Sequence, residues 1–122
     1  MRYANHPLPE CGVARFLILL DGPWATLIVR ELLHGPRRFN ELIDVLPGIS
    51  AHTLTRRLRR FEAAGILTRT AFAEIPPRVV YELTPVGQSL RTVLDAMNEW
   101  AEAVPAPMFE AGLAAGIQTD RA

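Results

Sequence analysis

A chain of 122 residues is long enough for one domain with a modest core, and its 49% hydrophobic content excludes general disorder. No apolar run nears the ~18 residues of a membrane span, the opening MRYANHPLPECG lacks the apolar stretch and cleavage site of a secretory signal, and the single cysteine cannot form an intrachain disulfide, so a cytoplasmic protein with no membrane partner is expected. Thirteen basic and thirteen acidic side chains cancel overall, but residues 37–78 hold eight arginines against four acids while residues 82–122 hold two against six; one face of the molecule is thus suited to a polyanion.

Residues 1–10, polar with two prolines, read as an N-terminal arm. From Cys11 or Gly12 to Leu20 the apolar density fits helix or strand; Asp21-Gly22-Pro23, a stop followed by a start, favours helix, because Pro23 suits a first helical position where its missing N–H is harmless. The next helix, Pro23–His34, places Trp24, Leu27, Ile28 and Leu32 on a core face and ends at Gly35-Pro36. Arg37 and Arg38 lead into a short helix, Asn40–Leu46, with Leu42, Ile43 and Leu46 on one side.

Pro47-Gly48-Ile49 is then a tight turn, in which Gly48 permits positive φ and Pro47 discourages the preceding helix from continuing. Ser50 offers its hydroxyl as N-cap to a second helix, Ala51–Ala64, which Gly65 stops. Leu54, Leu58 and Phe61 form one apolar stripe on it, and the rest of its surface carries His52, Thr53, Thr55, Arg56, Arg57, Arg59 and Arg60 with few acids nearby in sequence. A helix apolar on one side and basic on the other, presented by a short helix through a glycine turn, meets the requirements of a DNA-reading helix-turn-helix. A solvated surface helix is the plainer alternative.

The period then changes. Ile66–Phe72 is strand-like, 73–77 is a loop with Pro76-Pro77, and Arg78–Leu83 alternates as a half-buried strand, so the two make a β-ribbon, or wing. Thr84 caps a last long helix from Pro85 to about Ala103, with Val86, Leu90, Leu94, Met97 and Ala101 in one stripe and Val93 and Trp100 beside it. Residues 105–122, rich in Pro, Gly and Ala, read as a flexible tail, frayed or only briefly helical. The fold class is therefore mostly α with a small β-hairpin wing, the winged helix-turn-helix occupying residues 11–104.

On DNA, residues at the start of the reading helix come nearest to base edges. His52, Thr53 and Arg56 are the candidate base readers, and Arg57 reaches either a base or a backbone oxygen. Arg38 and Asn40 are candidate phosphate anchors, Ser50 is a cap that can also touch phosphate, and Arg78 is the contact of the wing. Arg60 is a further candidate, with one of Arg59 and Arg60 expected to pair with Glu62 or Glu41 instead. Cys11, at a helix start with Arg15 four residues on, sits where a helix N-terminus and a nearby cation both favour thiolate.

In order and at compatible spacing, Cys11, Gly22 with Trp24, Arg38-Phe39-Asn40-Glu41-Leu42, Gly48-Ile49-Ser50, Leu54-Thr55 with Leu58, Gly65-Ile66-Leu67, Pro76-Pro77-Arg78-Val79 with Tyr81, Leu83-Thr84 with Gly87, and Trp100 give a pattern over residues 11–104. This pattern resembles the HxlR family of bacterial winged-helix transcription regulators, relatives of the MarR group. The resemblance implies a homodimeric repressor or activator bound to double-stranded DNA at an inverted repeat, with the first and last helices building the dimer. It also implies that Cys11 senses oxidants or electrophiles; a small apolar residue packing a dimer seam is the alternative. One departure stands out: Gly22-Pro23-Trp24 replaces the family's Gly-Lys-Trp and loses one positive charge.

Three other readings compete. An enzyme could draw on Cys11 with His6, His34 or His52, but no acid is spaced to orient a histidine and no Gly-rich phosphate loop is present, so no catalytic residue, cofactor or metal is expected. A winged-helix module that binds protein is disfavoured by the basic helix. The effector could instead be a small aromatic molecule held between the end helices by Phe16, Trp24, Met97 and Trp100.

Overall fold

The computed structural model describes residues 7–119, with side chains described as far as residue 116. The first six residues of the expected arm, His6 among them, and the last three of the expected tail lie outside the described residues. The elements run α1 (Gly12–Leu19), α2 (Gly22–Leu32), β1 (Arg37–Arg38), α3 (Phe39–Val45), α4 (Ala51–Ala63), β2 (Leu67–Phe72), β3 (Arg78–Leu83), α5 (Pro85–Gln88), α6 (Leu90–Ala103) and α7 (Ala106–Thr119).

The core is built from α2, α3 and α4, closed by the ends of the ribbon. Leu42 and Leu46, Leu54, Leu58 and Phe61, and then Ile66, Leu67 and Leu83 are all buried. The stripe expected on the Ala51–Ala63 helix is therefore the buried one. On α2 the buried face is Ala25, Ile28, Val29 and Leu32, and the expected Trp24 and Leu27 are only half-buried. Apolar residues at 24, 25, 27, 28 and 29 cover an arc of about 200° on this helix, too wide for periodicity to fix its roll. No single helix among the described residues is long and apolar enough to cross a membrane; α1 and α2 pass that test only as a pair bent by 83°, and the apolar face of α2 is occupied by the core.

The ribbon joins β2 to β3 antiparallel, with Leu67 opposite Leu83 and Arg69 opposite Tyr81. A third strand, β1, was not evident in the sequence: Arg37 pairs with Tyr81 and Arg38 with Val80, giving the order β1-β3-β2. Two residues carry no alternation to read, and β1 exists only because β3 offers it an edge. Thr84 ties the base of the wing to the end of α4. Its hydroxyl donates to the Gly65 carbonyl at 2.6 Å and accepts from the Gly87 N–H at 3.2 Å, capping α5.

Two expectations for the C-terminal part are corrected. The single helix over 85–103 is interrupted at Ser89, whose hydroxyl donates to the Val86 carbonyl and competes with the helical ladder there, so α5 and α6 are separate elements. The stretch after Pro105 is not frayed but forms the 14-residue α7. Pro107 falls in its first turn, where a missing N–H costs nothing, and alanines supply helix propensity to the rest. The chain divides into one unit ending at Arg91 and a second beginning at Thr92.

Candidate nucleic-acid interface

The presentation of α4 begins at its turn. Gly48 takes φ 93°, and Ser50, in extended conformation, accepts the Thr53 N–H at 3.0 Å while its own hydroxyl donates to the Thr53 hydroxyl at 2.9 Å. Ser50 is thus the cap, and Thr53, a candidate base reader, is half-buried with its hydroxyl held against that cap. Opposite the buried Leu54, Leu58 and Phe61, the side chains of His52, Arg56 and Arg59 are exposed. Among the described residues, neither Arg56 nor Arg59 has a carboxylate within ion-pair distance.

Arg57 and Arg60 differ. Both donate to Asp21 Oδ1, each at 2.9 Å, and their side chains are 19% and 28% exposed. The expectation that the basic helix lacks acidic partners is corrected for these two, and the partner of Arg60 is Asp21 rather than Glu62 or Glu41. Their acid lies 36 and 39 residues away, at the N-cap of α2, where no spacing rule could find it. The Arg57 hydrogen bond holds the Asp21 carboxyl below the usual carboxylate range, with Arg60 adding to the effect through its charge.

At the start of α3, the Arg38 N–H donates to Glu41 Oε1 at 2.8 Å, half of a capping box; the guanidinium has no acceptor with which to complete it. The Arg38 and Asn40 side chains are exposed, and they share a shallow groove with Pro77 and Val79 at the loop end of β3. Arg78 is held rather than free: its Nε pairs with Glu74 at 2.7 Å and its guanidinium lies 4.1 Å from the centroid of the Phe72 ring.

A second groove, between α4 and the ribbon, is lined by Thr55, Arg59, Glu62, Arg69 and Tyr81. Arg69 was missed in the sequence. Strand alternation from the buried Leu67 places it on the same side of β2, which is the signal that could have found it.

Cys11 is the N-cap residue of α1 and is exposed, so in the single chain it is not a buried packing residue. Its thiol makes no capping hydrogen bond, yet the backbone N–H groups of Ala14 and then Val13 lower its pKa from the ordinary thiol value. The expected cation is otherwise engaged: Arg15 Nε donates to the Pro9 carbonyl at 2.6 Å. The helix end, not Arg15, favours the thiolate.

Comparison with known proteins agrees with this geometry. The HxlR-like helix-turn-helix family model matches residues 19–108. An HTH-type transcriptional regulator of Synechocystis is 46% identical over 96 residues, covering 75% of this chain and 71% of its own. The HTH-type transcriptional regulator YodB of Bacillus subtilis is 38% identical over 84 residues, covering 69% and 75%. Among solved structures, the redox regulator HypR in its reduced form matches with a TM-score of 0.72 at 34% identity, over 76% of this chain and 92% of its own. The quinone-bound form of YodB matches at 0.68 and 32%, over 78% and 100%. With these matches beside its glycine-turn helix pair, three-stranded sheet and exposed basic face, the chain is a helix-turn-helix transcriptional regulator and belongs to the HxlR-like family.

Proposed function

We propose that the protein works in the cytoplasm, without catalysis, as a homodimeric repressor on an inverted-repeat operator, and that Cys11 tunes its hold on DNA. The observation that carries the DNA reading is the outward face of α4, where His52, Arg56 and Arg59 stand exposed above a fully buried apolar face. In this reading His52 and Arg56 meet base edges in the major groove, with the Thr53 methyl group beside them. Arg38, Asn40 and the Ser50 cap set register on phosphates, and Arg78 follows the backbone from the wing.

Dimerisation is supported by apolar side chains that the single chain leaves in solvent. Val13 and Leu17 on α1, Met97 and Trp100 on α6, and Met108 and Leu113 on α7 are all exposed. Burying a large apolar side chain contributes roughly 1.5–3 kcal/mol, so covering even part of this set sustains a dimer.

The exposure and lowered pKa of Cys11 support a response to electrophiles, as does the likeness to HypR, solved in reduced and oxidised forms, and to YodB, solved with quinone bound. The step is an addition. The thiolate electron pair forms a C–S bond to a quinone ring carbon, and the ring is thereby reduced. Proton uptake from water and transfer of the displaced ring hydrogen leave a hydroquinone thioether on Cys11, and this bulk disturbs the start of α1.

Selection of bound sequences from a random duplex library tests operator and symmetry together: half-sites about one helical turn apart, or a multiple, support the two-fold assembly. Binding is then followed against salt. If the dimer neutralises about six to eight phosphates, affinity falls on the order of a thousandfold between 50 and 200 mM. A flat response would overturn the reading.

A further inference from the structure

We propose that Asp21 is a positioning residue that seats the DNA-reading helix and withholds Arg57 and Arg60 from phosphate. The proposal rests on the DNA-binding reading above and concerns how that same helix is used. One carboxylate oxygen accepts from both guanidinium groups at 2.9 Å, so a single residue at the start of α2 grips α4 at two points one turn apart. A methyl group built on Gly22 would lie 2.6 Å from an Arg57 guanidinium nitrogen, so the arginine lies directly against the backbone of the α1–α2 corner. Arg60 Nε is buried and makes no hydrogen bond, so this side chain gives up solvent to stay in the clamp.

Stability alone is a weak reason for such an arrangement. The Asp21 side chain is 50% exposed, and ion pairs open to solvent contribute little to folding. The consequence for binding is larger. A free guanidinium on a reading helix releases counterions on any duplex and strengthens binding to every sequence alike. Tying two of them to Asp21 removes that indiscriminate grip and gives base contacts from the outward face a larger share of the affinity.

Binding to a fluorescent random-sequence duplex over a fourfold range of salt separates the possibilities, with a melting temperature recorded for each protein. R57Q/R60Q, with Asp21 intact, should keep the wild-type salt response, because neither arginine meets phosphate; a flatter response would overturn the clamp. D21N should lose on the order of a hundredfold more affinity than wild type over the same salt range, the increment expected for two further phosphate contacts from each protomer of the dimer. D21N/R57Q/R60Q should return to the wild-type response, and D21E should largely restore it. An unchanged salt response in folded D21N would overturn the proposal; where D21N fails to fold, the R57Q/R60Q result decides alone. Wild-type affinity that ignored salt would overturn the DNA reading and the clamp together, whereas a flattening confined to R57Q/R60Q overturns the clamp only.

Discussion

Gly22 and Arg57 meet so closely that no side chain fits between them: the arginine guanidinium occupies the space a Cβ at residue 22 would need, and Gly22 itself takes φ 79°. Alanine there should cost about 1–2 kcal/mol for the left-handed backbone alone. It should also push Arg57 away from Asp21, the displaced atom being the flexible end of a side chain. Thermal unfolding checks the first effect, as a Tm lowered by roughly 5 °C per kcal/mol. An undiminished Tm would show that the corner relaxes without cost.

Asp21 also makes the protein acid-sensitive in a defined direction. Its folded pKa is depressed, chiefly by the Arg57 hydrogen bond, so its contribution to stability is complete above the unfolded carboxylate value of about 3.9 and is lost as pH falls through the lower folded value. Because Asp21 is half exposed, the contribution is modest. In urea unfolding at several pH values, wild type should exceed D21N at neutral pH and the difference should shrink as pH drops below that value. A constant difference would mean that shape, not charge, holds the corner.

Arg56 and Arg57 are adjacent in sequence and should behave oppositely on a selected operator. Arg56, exposed and without a carboxylate partner among the described residues, should cost roughly 1–3 kcal/mol of affinity when replaced by alanine and should blunt preference at one position of each half-site. Arg57→Ala should leave that base preference in place while lowering the melting temperature. Titrations against the selected sequence and its single-base variants give both answers. Uniform loss on every sequence would make Arg56 a phosphate contact.

Cys11 should be alkylated faster than an ordinary thiol near neutral pH, with the half-maximal rate at a pH below the unperturbed value of about 8.5, because the Ala14 and Val13 N–H groups favour its thiolate. The rate of iodoacetamide labelling against pH measures this. Quinone treatment should then release DNA from wild type and not from Cys11→Ser. Equal release from both would remove Cys11 from the response.

Local signals were enough for much of the molecule. The turn at Gly48, the Ser50 cap, the Leu54–Leu58–Phe61 stripe, the two ribbon strands and the Thr84 cap are each specified within a few residues: a glycine where φ is positive, a hydroxyl within reach of an N–H three positions on, an apolar side chain every third or fourth residue. Such features depend on backbone geometry common to all chains, and a linear reading recovers them. The same logic failed on α2, where apolar residues lie on too many sides to set a face, and on α7, where Pro, Gly and Ala content outweighed helix propensity in the reading.

What the linear chain determined, then, is which helix is basic and how it is delivered; what only the folded chain decided is which of its arginines remain available. Asp21 lies 36 residues before Arg57, and no periodicity links them. Their meeting depends on how α2 rolls against α4, which is set by the packing of Ala25, Ile28 and Val29 in a shared core, and on the bare backbone of Gly22. Charge along a sequence is additive, but a guanidinium already neutralised by the protein's own carboxylate has less to gain from a phosphate, and tertiary contact decides which of the two it meets.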